Sequence, residues 1–280
     1  MEIPKSLIRF HSHCGLKDEV PEIVQQAQKY SPVLVKGFQL GNRTVVDKKS
    51  WLEVCDRKHR YGAYLRAYYQ EWKRLNSPHS DFWLWLDNDS VELDGIPRAK
   101  LENETVLYCA TNAERQRFTL DIVNGKIYQK NRPVDTDTDG WIFVLRDGVL
   151  YGGKKETERT PRVHHTSFVG GECVQAAGMM IVQNGDLKTL YPHSGHYRPQ
   201  EREVLVLLDF LRSNKVPLEN VSVDVQRIQK VKRDFQNGAL VKKIHSAHFW
   251  GAIQVLSFLH VKHFAWSSKL FDELVCKLHL

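Results

Sequence analysis

Hydrophobic and polar positions along the chain change regime twice. Across residues 47–75, Trp51, Leu52, Cys55, Leu65, Tyr68, Tyr69 and Trp72 recur at spacings near three and four. That rhythm predicts an amphipathic helical region, with Gly62 marking a bend or a close backbone approach. Upstream, residues 20–27 follow Asp18 and carry Pro21 near their start, which predicts a short N-terminal helix. Residues 81–87 read Asp-Phe-Trp-Leu-Trp-Leu-Asp, and three large rings at that density predict a core anchor.

From Glu104 the pattern turns strand-like. Short strands are predicted at 105–109, 118–123, 126–128, 142–145, 149–151, 174–182, 187–190 and 221–225. The pairs Asn124-Gly125, Asp147-Gly148 and Asn184-Gly185 are hairpin turns, because both central positions of such turns take positive φ. Residues 203–211 read as a helix with Pro199 at its first turn, where a missing N–H costs nothing. Helices are expected from there to residue 280. Helices, then a sheet, then helices give an α+β fold, with N-terminal helices, a central antiparallel sheet and C-terminal helices. The corresponding organisation is an extension at 1–44, a domain at 45–225 and a second helical extension at 226–280.

Composition narrows the setting. No run reaches the roughly 18 apolar residues of a membrane span; the most apolar stretch, 249–266, is broken by Gln254, Ser257, His260, Lys262 and His263. The first residues lack a cationic patch followed by an apolar run, so no secretory signal is expected. Cys14, Cys55, Cys109, Cys173 and Cys276 are odd in number, scattered and without a C-x-x-C pair. A reducing interior, cytoplasm or nucleus, follows as the expected setting. The formal charge of +7 favours acidic partners, but acids and bases alternate, so a solvated surface is preferred over nucleic-acid binding.

Several motifs invite chemistry. Asp135, Asp137, Asp139 and Gly140 stand where an EF-hand loop has its first ligands and turn glycine. The position of the bidentate glutamate holds Arg146, and a strand pattern follows, so an acidic inter-strand loop is preferred. His11, His13 and Cys14, and separately His260 and His263, have ligand-like types without a third convergent donor, so no metal site is expected from them. The richest stretch is 151–197. It holds His164-His165-Thr166-Ser167-Phe168 before Gly170-Gly171, and His193-Ser194-Gly195-His196-Tyr197. Imidazoles and hydroxyls at strand ends can form a site, with His165, Ser167, His196 and Tyr197 as catalytic candidates and Ser194 as a ligand contact. Such residues also satisfy backbone groups at tight turns, and both readings stand. A further reading is nucleotide chemistry with NAD as cofactor, as in ADP-ribosyltransferases. Arg162 and Thr166 would contact the ligand and Glu203 would stabilise an oxocarbenium-like state. Against it, Glu201 and Glu203 fit a helix N-terminus equally well.

Trp51-Leu-Glu-Val-Cys-Asp56, His59-Arg-Tyr-Gly62, Tyr68-Tyr69 and Trp72 resemble the opening of the plant and fungal IQ-motif-containing (IQM) family. Phe82-Trp-Leu-Trp-Leu-Asp87, Tyr151-Gly-Gly153, His165-Thr-Ser-Phe168, Ala176-Ala-Gly178 and Ser194-Gly-His-Tyr-Arg-Pro199 continue the resemblance in order, over about 45–225. The His-x-Ser-Phe and Ser-Gly-His-Tyr part is also similar to a module of some bacterial polymorphic toxins, which keeps an enzyme reading open. The IQM resemblance implies an intracellular signalling or interaction protein with calmodulin as a partner. The family's IQ segment precedes the shared domain, and residues 1–44 show no such pattern. The nearest approach is Ile228-Gln229 with Arg233, where Asp234 replaces the glycine and Gly238 the last basic residue. Thr166 stands in place of the more usual serine.

Overall fold

The computed structural model describes residues 39–40, 43–44, 46–47, 50–75, 82–88, 91–225 and 249–260. The helix expected at 20–27, the histidines near the N-terminus, the segment around Ile228 and His263 lie outside these residues.

A small hairpin, β1 (Gln39–Leu40) and β2 (Arg43–Thr44), precedes the helices α1 (Trp51–Cys55) and α2 (Gly62–Arg74). The single helical region expected at 47–75 is therefore divided. The division is electrostatic: the Asp56 carboxylate accepts from Arg60 N, Nε and Nη2, and His59 between them takes φ +48°. Arg60 is fully buried and its guanidinium also meets Asp87 at 2.9 Å and Glu102 at 2.7 Å. Removing a partner from a buried charge of this kind is strongly destabilising, and these contacts hold the turn at 56–61. Gly62 starts α2 rather than bending a longer helix. The apolar rhythm still reports the buried face: Leu65, Tyr68 and Tyr69 pack with Phe82, Trp83, Trp85 and Leu86 of α3 (Phe82–Asn88) and with Leu101 of α4 (Arg98–Asn103). The aromatic segment is the core anchor its rings predicted.

Past α5 (Asn112–Gln116) come β3 (Thr119–Val123), β4 (Lys126–Gln129), β5 (Arg132–Pro133), β6 (Trp141–Arg146), β7 (Val149–Gly153), β8 (Ala176–Gln183) and β9 (Asp186–Tyr191). α6 (Glu201–Ser213), β10 (Ser222–Asp224), β11 (Phe249–Gly251) and a helix over 252–260, α7, complete the described chain. The fold is α+β. Its sheet runs in the order β11-β10-β9-β8-β6-β7-β3-β4-β5. The three Asn-Gly and Asp-Gly pairs all have positive φ at both positions and close the β3–β4, β6–β7 and β8–β9 hairpins.

The antiparallel expectation needs one correction, because β9 and β10 pair in parallel: α6 carries the chain back across the sheet between them. Residues 105–109 make only single bridges, Thr105 to Arg60 and Val106 to Arg162, since their backbone partners are loops. Pro199 precedes the N-cap Gln200 and is not in the first turn of α6. At the C-terminal side a strand intervenes before the helix, and Ala252, Val255, Leu256 and Leu259 pack into the same apolar cluster as β8 and α6. Residues 249–260 thus return to the core of the sheet domain across the expected 225/226 boundary.

β6 is central and alternates between two cores, as a period of two requires. Phe143 and Leu145 face the cluster beneath α6 and α7, while Ile142 and Val144 face a second cluster with Val46, Val54, Phe168 and Tyr197. The first core is sealed by helices. The second is covered by α1 and by irregular segments, and the polar cluster lies on that side.

Candidate functional site

Each of the two histidine clusters is a tight turn. After β7, His164 is extended and leads a 3₁₀ turn at His165–Val169, ended by Gly170 at φ +62°. Ser167 fixes this turn: its Oγ accepts from His164 N at 2.9 Å, and its own N–H donates to the His164 carbonyl at 3.0 Å. His165 bonds through Nε2 to the Gly178 carbonyl on β8 at 2.9 Å. The second turn follows β9. Ser194 Oγ accepts from Tyr197 N at 3.2 Å, Tyr197 OH donates to the Glu172 carbonyl at 2.7 Å, and Asp47 N donates to the His196 carbonyl at 2.6 Å.

These turns bring the imidazoles together. The His196 ring lies 5.0 Å from His164 and 6.3 Å from His165, centroid to centroid. Burial pushes His165 down to about 3, helped by the neighbouring His196 charge. Burial likewise pulls His196 down to about 4, against the attraction of Glu53. Both rings are neutral near pH 7.

Opposite them stands Glu53 of α1, only 2% exposed. Its Oε2 accepts from Gly62 N and its Oε1 from Tyr108 OH, each at 2.9 Å. Oε1 also lies 3.9 Å from His164 Nδ1 and 4.0 Å from His196 Nε2. Burial alone would raise this carboxyl, but His164, the charges of both histidines and the Gly62 N–H outweigh it and hold the group below its ordinary range. One ligand atom each from Glu53, His164 and His196 lie within 4.8 Å of one another, the geometry of a group that could hold a metal ion. Spacing along the chain hid this set, since 111 residues separate Glu53 from His164. The available signal was an acid between Leu52 and Val54 in an otherwise apolar helix.

A cavity of about 540 Å³ opens over this group. Glu53, His164, His165, His193, Ser194 and His196 line it, with Ile142 and Met179 from adjacent strands as apolar walls. Arg66, Lys155 and Arg198 contribute cationic lining; Arg198 also pairs with Asp47 at 3.3 Å. His193 is oriented by Asp224 at 2.7 Å.

Of the candidates named from sequence, His165, Ser194 and His196 line the cavity, and the others lie outside its lining. Ser167 and Tyr197 fasten the turns. Thr166 is fully buried beside Tyr108. Arg162 forks onto Glu104, bonds the Thr157 carbonyl and stacks on Tyr61, with 4.3 Å to that ring. Glu203 accepts from Gln200 N and from Thr44 Oγ1, both at 2.7 Å, and caps α6. None of Arg162, Thr166 and Glu203 lines the cavity. Asp135, Asp137 and Asp139 are exposed on the loop before β6, and Arg146 is engaged with the Cys173 carbonyl and Glu172.

Comparison with known proteins follows the motifs. Residues 114–204 match the family profile described as the IQ motif-containing protein middle domain. The chain is 37% identical over 196 residues to the IQ domain-containing protein IQM3 of Arabidopsis thaliana, covering 64% of this chain and 42% of the relative. It is 36% identical over 185 residues to IQM2 of the same plant, covering 62% and 30%, and 34% identical over 203 residues to IQM5, covering 68% and 40%. The chain thus spans less than half the length of these curated relatives. No solved structure matches it. The profile's span contains His164 and His196 and leaves Glu53 outside.

Proposed function

From its resemblance to the IQM family, we propose that this chain is an interaction protein that engages calmodulin and binds a small anionic ligand in the histidine-lined cavity. The calmodulin part rests on the resemblance and on relatives named as IQ domain-containing proteins. The ligand part rests on one observation: four imidazoles, Arg66, Lys155 and Arg198 surround a partly enclosed space in which Glu53 is the only acidic lining residue among the described residues. Polar groups converging in a cavity between apolar walls are the ordinary anatomy of a small-molecule site. Cationic lining selects a carboxylate or phosphate group. The reading is binding rather than turnover. Among the described residues no helix is long and apolar enough to cross a membrane, and buried cysteines outside any disulfide, Cys55, Cys109 and Cys173, suit a reducing compartment.

Two experiments test it. Titration with a panel of carboxylates, phosphates and nucleotides, followed by calorimetry, should give saturable binding that weakens at least about tenfold in a Lys155→Ala/Arg66→Ala double variant. Absence of binding across the panel would remove the ligand part. Capture on immobilised calmodulin, with and without a calcium chelator, tests the partner. No retention in either buffer would remove that part.

A further inference from the structure

We propose that Glu53, His164 and His196 together hold one divalent transition-metal ion, with its remaining coordination positions open to the cavity. The inference rests on the reading of that cavity as a ligand site and names what would receive the anion there.

Four observations carry it. First, the donor set is two imidazole nitrogens and one carboxylate oxygen, gathered from α1 and from two separate turns into a space 4.8 Å across. Two imidazoles with one carboxylate suit zinc or iron(II) and disfavour the all-oxygen preferences of calcium and magnesium. Second, His164 Nδ1 is buried and has no hydrogen-bond partner, although the side chain is only 7% exposed and this atom faces Glu53 at 3.9 Å. A buried polar atom left unpaired is destabilising, and coordination would satisfy it. Third, the Glu53 carboxylate is oriented by Gly62 N–H and Tyr108 O–H. Ligating carboxylates are held by such outer hydrogen bonds. Fourth, His196 is 19% exposed at the cavity surface, which leaves a path for the ion.

The separations also say what binding requires. Bonds of roughly 2.0–2.2 Å at tetrahedral angles place neighbouring ligand atoms about 3.3 Å apart. The 3.9 and 4.0 Å spacings to Glu53 must close by roughly 0.6–0.7 Å, and the two imidazole nitrogens, within 4.8 Å of each other, by up to about 1.5 Å. Glu53 Oε1 is common to both, so the movement is of two imidazoles toward one fixed oxygen.

The test is titration of the chelator-stripped chain with zinc chloride, read by calorimetry, and with cobalt chloride, read by visible absorption. We expect saturation at one ion per chain in the micromolar range or tighter, and a cobalt spectrum of a site containing nitrogen ligands. His164→Ala and His196→Ala should each weaken binding at least about tenfold, whereas His260→Ala, on α7 beside Asp209 and outside the cavity lining, should not. If an alanine variant fails to fold, Glu53→Gln keeps an acceptor for Gly62, and imidazole NMR signals of the wild type give a readout without mutation: zinc should move those of His164 and His196 most. Folded wild type without saturable zinc binding, or unchanged affinity in His164→Ala and His196→Ala, would overturn the proposal. The ligand reading fails separately. Zinc binding without anion binding removes the ligand and keeps the metal; anion binding by zinc-free protein that zinc cannot saturate does the reverse.

Discussion

Glu53 and Glu203 are both almost fully buried, 2% and 4% exposed, yet they sit in unlike surroundings. Glu203 spends both oxygens on protein donors, Gln200 N and Thr44 Oγ1, and ties the β1–β2 hairpin to the start of α6. Glu53 is held by two donors as well, but its Oε1 also faces the imidazoles of His164 and His196. A buried charge whose partners are all local and hydrogen-bonded is structural. A buried charge with uncommitted nitrogens opposite it has capacity left for a ligand. The contrast explains why the acid that looked catalytic in the sequence is a helix cap, and why an unremarked acid in α1 belongs to the site.

The largest effect that would break this contrast is pH dependence confined to the Glu53 side. In the unfolded chain both imidazoles titrate near 6.5, whereas in the folded metal-free protein His165 titrates at about 3 and His196 at about 4. Between those values the unfolded state binds more protons. Stability is therefore fully present above pH 6.5 and falls as the pH drops toward 4, by up to about 1.4 kcal/mol per pH unit for each ring. Urea denaturation at about pH 7 and about pH 5 measures it, and His165→Gln should flatten the slope. A level profile in the wild type would contradict the burial assigned to these rings.

Next in size is Glu203→Ala. Losing an N-terminal cap and a buried charged acceptor should cost about 2–3 kcal/mol, seen as a lower urea midpoint, with zinc and anion affinity unchanged in the folded protein. This exceeds the cost expected of an exposed acid at a helix end, because Glu203 is buried. A change in affinity without a change in stability would make Glu203 a site residue after all.

Gly62→Ala sharpens the other side. An added Cβ would lie 2.9 Å from Glu53 Oε2 and 3.2 Å from Glu53 Cβ, so the carboxylate must shift. Stability should fall by roughly 1 kcal/mol or somewhat more, and ion affinity should fall with it because the shared oxygen moves. Unchanged affinity would detach Glu53 from the site. The smallest effect is expected at the exposed acids: Asp139→Ala should alter stability by no more than about 0.5 kcal/mol. Calorimetry should find calcium binding no tighter than about millimolar at the loop.

Much of the scaffold was legible because its causes are local. The Asn124-Gly125, Asp147-Gly148 and Asn184-Gly185 turns fix three hairpins, since positive φ at both central residues is a property of those residues themselves. The burial of Phe82, Trp83 and Trp85 follows from their size and spacing. Reading one helix across 47–75 failed because Arg60 binds Asp56, Asp87 and Glu102, and two of those three acids lie outside that stretch.

The sequence by itself determined the α+β class, the hairpins, the aromatic core and the two polar turns at 164–168 and 193–197, because turn chemistry and hydrophobic period act over a few residues. Only the tertiary structure decided what those turns are for. Ser167, Tyr197, Arg162 and Glu203 have side chains suited to catalysis, but their hydrogen bonds were taken up by the backbone or by neighbouring side chains. Glu53 gained His164 and His196 across more than a hundred residues through the packing of α1 against the sheet. Whether a polar side chain is spent on the fold or kept for a ligand depends on which donors and acceptors surround it, and that is settled by packing between segments distant in the chain.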